Sequence, residues 1–204
     1  MKELATHGIF PTPIYFSELE RDFTKKELKF FEKNKSTTYA NEGNTTSDDN
    51  YILNNSELEE LKSEVMVAVQ KYIDNVLSFK PTVTPYITQS WLNFTEVGQY
   101  HHKHAHPNSI VSGVIYVNAD EENDKIYFYN DSYKQIKPEI NEWNLFNSES
   151  WYFTVKTGQV ILFPSHLTHM VQTKAGDNTR ISLAFNVFLK GNIGINKDLT
   201  ELKL

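Results

Sequence analysis

From Pro81 onward the apolar positions follow the two-residue rhythm of β-strands. Six runs stand out: "YITQSWLNF" (86–94), "SIVSGVIYV" (109–117), "KIYFYN" (125–130), "SWYFTV" (150–155), "QVILF" (159–163) and "RISLAFNVFL" (180–189). Turn-like segments, "NADEEND", "KTGQ" and "KAGDNT", separate several of them, and no helical period intervenes. The pattern predicts antiparallel strands in a sandwich or barrel. Upstream the period changes. Leu58, Leu61, Val65, Val69, Tyr72 and Val76 recur at steps of three and four, which predicts one buried helix face ended by Pro81. Ser56 and Glu59 match a capping box at its start. "TKKELKFFEKNK" (24–35) predicts a short amphipathic helix. The polar stretch 36–50 reads as a loop, placed to act as a lid, and the region between Ser132 and Ser150 as a long excursion. The expected architecture is mainly β with N-terminal helices: one domain over 1–204, with helical support in 1–80 and a jelly-roll-like β core in 81–190.

Composition narrows the chemistry. The 204 residues are 39% hydrophobic and 23% charged, ordinary for a globular protein. There is no cysteine, so disulfides, thiol nucleophiles and Cys-based metal sites are excluded. The net charge is −6 and no long Lys/Arg run appears, which disfavours a salt-driven grip on nucleic acid. "MKELATHGIF" lacks an apolar signal core and no run reaches membrane-spanning length. A cytoplasmic protein without a membrane partner is the expectation.

The histidines carry the chemical signal. Four of seven, His101, His102, His104 and His106, fall within six residues; His166 and His169 form a second group in "FPSHLTHMV". On an extended strand His104 and His106 point to one face, where two imidazoles can hold one cation. His169 follows another predicted strand and can close the set. Three ligands on one face of an octahedron leave three positions open, as in non-haem Fe(II) sites built from two His and one carboxylate. By the same alternation His102 shares the parity of His104; one of His101 and His102 is expected at the entrance, and His166 beside a turn at Pro164. Trp91 and Asn93, on the preceding strand, are candidates to line the pocket.

Arg180, Ser182 and Ala184 alternate with Ile181, Leu183 and Phe185. If the apolar set packs outward, Arg180 points inward, and a buried guanidinium needs an anion. A carboxylate received by Arg180 and the Ser182 hydroxyl meets that need.

These residues carry a resemblance. Trp91 to Phe188 resembles the double-stranded β-helix core (a jelly-roll, cupin-like barrel) of the Fe(II)/2-oxoglutarate-dependent dioxygenases, close to the prolyl-hydroxylase branch. "GQYHHKHAH" resembles the approach to that family's His-x-Asp motif, with His104 and His106 at its two positions. "SGVIYVNAD" is similar to the following strand, with Tyr116 at a place that contacts 2-oxoglutarate. "GQVILFPSHLTHMV" resembles the segment delivering the distal ligand, His169, and "TRISLAF" carries the family's Arg. "IFPTPIY" and the ordered HxHP…SGVxYV…LFPSxLxH…RISxxFN series look like a group of small members of this superfamily. The resemblance implies Fe(II) held by His104, His106 and His169, with 2-oxoglutarate and O2 as co-substrates and Arg180, Ser182 and Tyr116 binding the far end of 2-oxoglutarate. It implies hydroxylation of a C–H bond of a protein side chain, amino acid or small molecule, with release of succinate and CO2. Exposed β edges favour a homodimer.

One departure is plain: His106 stands where the family has Asp, leaving the ion more positive. Asp120 and Asp131 are the nearby acids that could complete the set instead. Two rivals stay open at this level. A cupin-type metalloenzyme without 2-oxoglutarate shares the HxH spacing after Gly98 but lacks the expected Glu and leaves the Arg180–Ser182 pair unexplained. A non-catalytic β-barrel binding module is the other.

Overall fold

The structure is a computed structural model that describes residues 5–132 and 136–204. Residues 1–4 of the N-terminal stretch and 133–135 of the predicted excursion lie outside the described residues. In chain order the elements are β1 (Tyr15–Glu18), α1 (Lys25–Asn34), β2 (Thr38–Ala40), β3 (Thr45–Ser47), α2 (Glu59–Tyr72), β4 (Val83–Thr95), β5 (His101–His104), β6 (Val111–Asn118), β7 (Lys125–Tyr129), β8 (Ser150–Thr154), β9 (Gln159–Pro164), β10 (His169–Val171), β11 (Arg180–Ile193) and β12 (Leu202–Lys203).

The strands form two antiparallel sheets. The larger runs β1-β9-β6-β11-β4-β3-β2, with β12 added on β11; the smaller runs β5-β10-β7-β8. This is the expected double-stranded β-helix class, built as two packed sheets and not as a closed barrel. On one face of the large sheet, Leu92, Phe94, Ile115, Leu162, Leu183 and Phe185 bury against Leu61, Val65, Val69 and Tyr72 of α2. Its other face sends Val114, Tyr116, Ile161 and Phe163 toward Ile126 and Phe128 of the small sheet. The polar side chains of interest lie in this second layer, between the sheets.

Local chemistry corrects several sequence expectations. The capping box forms at α1, not α2: the Thr24 hydroxyl accepts from the Glu27 N–H, and the Glu27 carboxylate accepts from the Thr24 N–H at 2.7 Å. Ser56 starts a 3₁₀ turn instead, and Leu58 precedes α2 without a side-chain cap. Behind Tyr72 the backbone widens into a π-turn, Ile73–Leu77, which ends on Ser78 in the left-handed region. The wider turn rotates Val76 out of the apolar stripe and leaves it exposed. The segment 36–50 is not a free loop. It forms the β2–β3 hairpin, which pairs with β4 through Thr45–Phe94 and Thr46–Asn93 and extends the large sheet. Among the described residues no helix is long and apolar enough to cross a membrane.

Candidate metal centre

β5 and β10 pair antiparallel, with His104 opposite His169 and His101 opposite Val171. Three residues on β5 thus span two on β10, so β5 carries one extra residue. The bulge breaks strict alternation. It brings His101, not only His102, alongside His104, with the two rings stacked at 4.7 Å and 16°. β5 ends at His104, yet His106 is held close because its N–H donates to the Ser165 carbonyl at 2.9 Å. Its ring stands perpendicular to that of His104, centroids 4.8 Å apart.

One ring nitrogen from each of His104, His106 and His169 lies within 4.8 Å of the other two. The His104 and His169 rings are 4.4 Å apart, and those of His106 and His169 5.1 Å. The Nδ1 of His104 is 2.8 Å from the His102 carbonyl, and that of His169 is 3.0 Å from the Leu167 carbonyl. A carbonyl only accepts, so each Nδ1 carries the proton and each Nε2 keeps its lone pair. Burial, followed by the neighbouring imidazoles, pushes His106 down to about 4 and His169 well below its ordinary range. Phe163 and Phe128 supply much of that dry environment, with rings 4.7 and 6.3 Å from His169. These imidazoles are therefore neutral at neutral pH, the form that binds metal. Three converging neutral nitrogen donors fit a divalent transition ion such as Fe(II).

No carboxylate joins the cluster among the described residues. Asp131 is engaged by Lys103 and the Thr168 hydroxyl, and Asp120 by Asn123 and its own loop. His101, His102 and His104 form a second triplet within the same distance, sharing His104. His104 offers a single free nitrogen, so it cannot serve both sets at once. His102 lies at the mouth, its Nδ1 3.4 Å from the carbonyl of Glu42 in the hairpin turn. His166 is exposed, away from the cluster.

A cleft of about 640 Å³ opens over the histidines. Trp91 forms one wall, with its ring 5.7 Å from that of His106, and Tyr39, Asn41 and Thr46 of the hairpin form another. Asn93 accepts a hydrogen bond from Thr46 at 3.0 Å and helps fix that hairpin to the sheet.

Ser182 pairs in register with Tyr116 on one side and Asn93 on the other, so all three side chains share the inter-sheet face. Arg180, two residues before Ser182, shares that face and is 2% exposed. Its guanidinium already has an anionic partner: Nη1 donates to Asp124 Oδ1 at 3.0 Å. Lys174 also reaches that carboxylate, 3.3 Å from Oδ1 and 3.4 Å from Oδ2. Sequence reasoning missed Asp124 and Lys174. They lie in turn segments 56 and 6 residues from Arg180, and no local spacing announces them.

Residues 89–186 match the protein family described as "Putative 2OG-Fe(II) oxygenase". No curated protein matches the sequence. Among solved structures, an oxidoreductase of the 2OG-Fe(II) oxygenase family from Burkholderia pseudomallei is similar over 84% of this chain and 83% of its own, with a TM-score of 0.56 at 14% identity. HygX from Streptomyces hygroscopicus, crystallised with nickel, 2-oxoglutarate and hygromycin B, is similar over 86% and 82%, with a TM-score of 0.56 at 12% identity. The non-haem alpha-ketoglutarate-dependent epimerase SnoN from nogalamycin biosynthesis reaches a TM-score of 0.59 at 9% identity, over 87% and 78%. At such identities the likeness is one of fold. The matched segment runs from β4 to β11 and carries every histidine of the cluster, and over it the chain is similar to the 2OG-Fe(II) oxygenase family.

Proposed function

We propose that this protein is an Fe(II)- and 2-oxoglutarate-dependent oxygenase that hydroxylates a C–H bond, releasing succinate and CO2. One observation carries the reading: His104, His106 and His169 converge within 4.8 Å in an inter-sheet layer that also buries Arg180. Iron, when bound, would supply O2 activation. The chain's own residues do the rest. The Nε2 atoms of His104 and His169, with one nitrogen of His106, would hold the ion. Arg180 receives the far carboxylate of 2-oxoglutarate, with Ser182 and Tyr116 beside it as hydroxyl partners. Tyr116 is fully dry, and burial pushes its phenol upward, so it stays a neutral donor. Trp91, His102 and the β2–β3 hairpin shape the mouth where substrate enters.

The cleft's size fits a small molecule or a protein side chain, and the net charge of −6 weighs against nucleic acid. The prolyl-hydroxylase likeness of the motifs, the cytoplasmic location and a homodimer belong to the same proposal. HygX is solved with hygromycin B bound and SnoN comes from nogalamycin biosynthesis, which supports a small-molecule substrate over a protein one.

Calorimetric titration of 2-oxoglutarate into Ni(II)-loaded protein, followed by succinate assay with Fe(II) and O2, tests the reading. Binding and succinate release are expected, both lost in Arg180→Ala, with metal affinity lost in His169→Ala. Metal binding with no 2-oxoglutarate affinity overturns it in favour of a cupin-type activity. Absence of specific metal binding overturns it in favour of a non-catalytic binding module.

A further inference from the structure

Three charged side chains are sealed together beside the β5–β10 ladder. Asp124 is 0% exposed, and Lys174 and Arg180 are each 2% exposed. The Asp124 carboxylate is saturated. Oδ1 takes Arg180 Nη1 at 3.0 Å and Lys174 Nζ at 3.3 Å; Oδ2 takes the Asp120 N–H at 2.8 Å and Lys174 Nζ at 3.4 Å. A carboxylate offers about four lone-pair sites, so little capacity remains for further donors. The Arg180 guanidinium spends one of its five N–H donors here and makes no other hydrogen bond among the described residues.

The charge count is equally lopsided. Within the sealed group two cations face one anion; a further carboxylate, that of the partly exposed Asp120, lies on the Lys174 side and is engaged by Asn123 and its own loop. Arg180 is left with a share of one carboxylate, and a second anion at its remaining donors is the partner the arrangement calls for. Lys174 is fixed where it stands: its N–H donates to the Gln99 carbonyl at 2.8 Å, and its carbonyl accepts from the Gly98 N–H at 3.0 Å, continuing the pairing of β5 and β10. Gly176 keeps the following turn tight against the loop. A Cβ there would overlap the Asp120 carboxylate and come within 3.1 Å of the Lys174 ammonium. His101, stacked on His104, is within electrostatic reach of Arg180, so the charged triad and the imidazole cluster share one interior.

We propose that Lys174 is a positioning residue for the co-substrate: it occupies Asp124, so that the net positive charge and free donors of Arg180 are left to a second, incoming carboxylate. The inference rests on the proposed 2-oxoglutarate chemistry and adds to it a residue and a charge rule. Without Lys174, Asp124 and Arg180 become a closed neutral pair that 2-oxoglutarate must compete against.

The test compares 2-oxoglutarate affinity of Ni(II)-loaded proteins by calorimetry. Lys174→Met, which keeps volume and removes charge, is expected to weaken binding by about 10- to 100-fold, the scale of one unit charge acting across a partly desolvated site. The double variant Lys174→Met/Asp124→Asn, with Arg180 again the one net charge, is expected to recover most of that loss. Binding of 2-oxobutyrate, which lacks the far carboxylate, is expected to be the same in all three proteins. If Lys174→Met does not fold, Asp124→Asn carries the test in the opposite direction, with tighter 2-oxoglutarate binding expected. Wild-type affinity in Lys174→Met, or a double variant as weak as the single, overturns this inference alone. A wild-type protein that binds Ni(II) but not 2-oxoglutarate overturns it together with the proposed function.

Discussion

His104 and His169 face each other across the β5–β10 ladder with ring centroids 4.4 Å apart. Each ring is oriented by a hydrogen bond from its own Nδ1 to a carbonyl two residues earlier. The imidazole cluster is thus preformed, and on the proposed function metal binding should raise stability with little rearrangement. Wild-type protein with Ni(II) or anaerobic Fe(II) at a hundred times its Kd should gain about 2.7 kcal/mol of unfolding free energy. His169→Ala should gain nothing. Thermal unfolding with and without metal checks this; an equal rise in both proteins excludes His169 as a ligand.

His106 offers a sharper substitution. Its ring packs against Trp91 and His104, at the position where the family pattern holds a carboxylate. His106→Ala should weaken metal binding by at least the roughly 10- to 100-fold that loss of a mere supporting partner costs. His106→Asp should restore binding, because the two-His, one-carboxylate set is a familiar Fe(II) donor set. Metal titration of the two variants decides it. Equal failure of both means the imidazole itself is required.

The buried imidazoles make the metal-free protein acid-sensitive. Burial, then the neighbouring imidazoles, pushes His101 down to about 3 and His106 to about 4; His104 is lowered chiefly by burial. Unfolded, each would take a proton near pH 6.5. Between about pH 6.5 and 4 the unfolded chain therefore binds protons that the folded chain does not, and stability falls as pH falls. Each such histidine steepens the slope by up to about 1.4 kcal/mol per pH unit. Urea midpoints at pH 7.5, 6 and 5 should decline in that order, and a flat series would show that the rings are accessible to protons in the folded state.

Gly113 lies on β6 beside Phe185 and Leu162 of the helix-side core. A Cβ there would overlap the Phe185 ring and come within 2.7 Å of Leu162 Cδ2. Gly113→Ala should cost about 1–3 kcal/mol through overpacking, read as a lower urea midpoint with unchanged metal affinity. A neutral effect would mean that Phe185 swings aside freely.

The strands of the core were legible because their periodicity reports burial. "QVILF" became β9 and "SIVSGVIYV" became β6 within two residues at either end. The short strands were not. β2 (Thr-Tyr-Ala) and β3 (Thr-Thr-Ser) are triplets too short to show a period, placed by the pairing of β3 with β4 and of β2 with β3, and β5 is a histidine run with no apolar alternation. The imidazole cluster could be anticipated from where the histidines fall along the chain, since they bunch so strongly. The place of His101 could not, because one inserted residue in β5 overrides the i, i+2 rule. Inward placement of Arg180 followed from alternation along β11, but its partners did not. Asp124 and Lys174 meet it only through long-range packing, and a carboxylate in a turn looks the same in sequence whether solvated or sealed.

The hairpin at 38–47 hangs on the edge of the large sheet by two registered pairs with β4, and its polar residues reach the mouth of the cleft while contributing no side chain to the imidazole cluster. On the proposed function, selectivity and reactivity would thereby be housed in separable parts of one chain. Changes at Tyr39 or Asn41 would retune which molecules are admitted and leave the imidazole cluster beneath intact, so related chains could diverge in diet without re-inventing their chemistry.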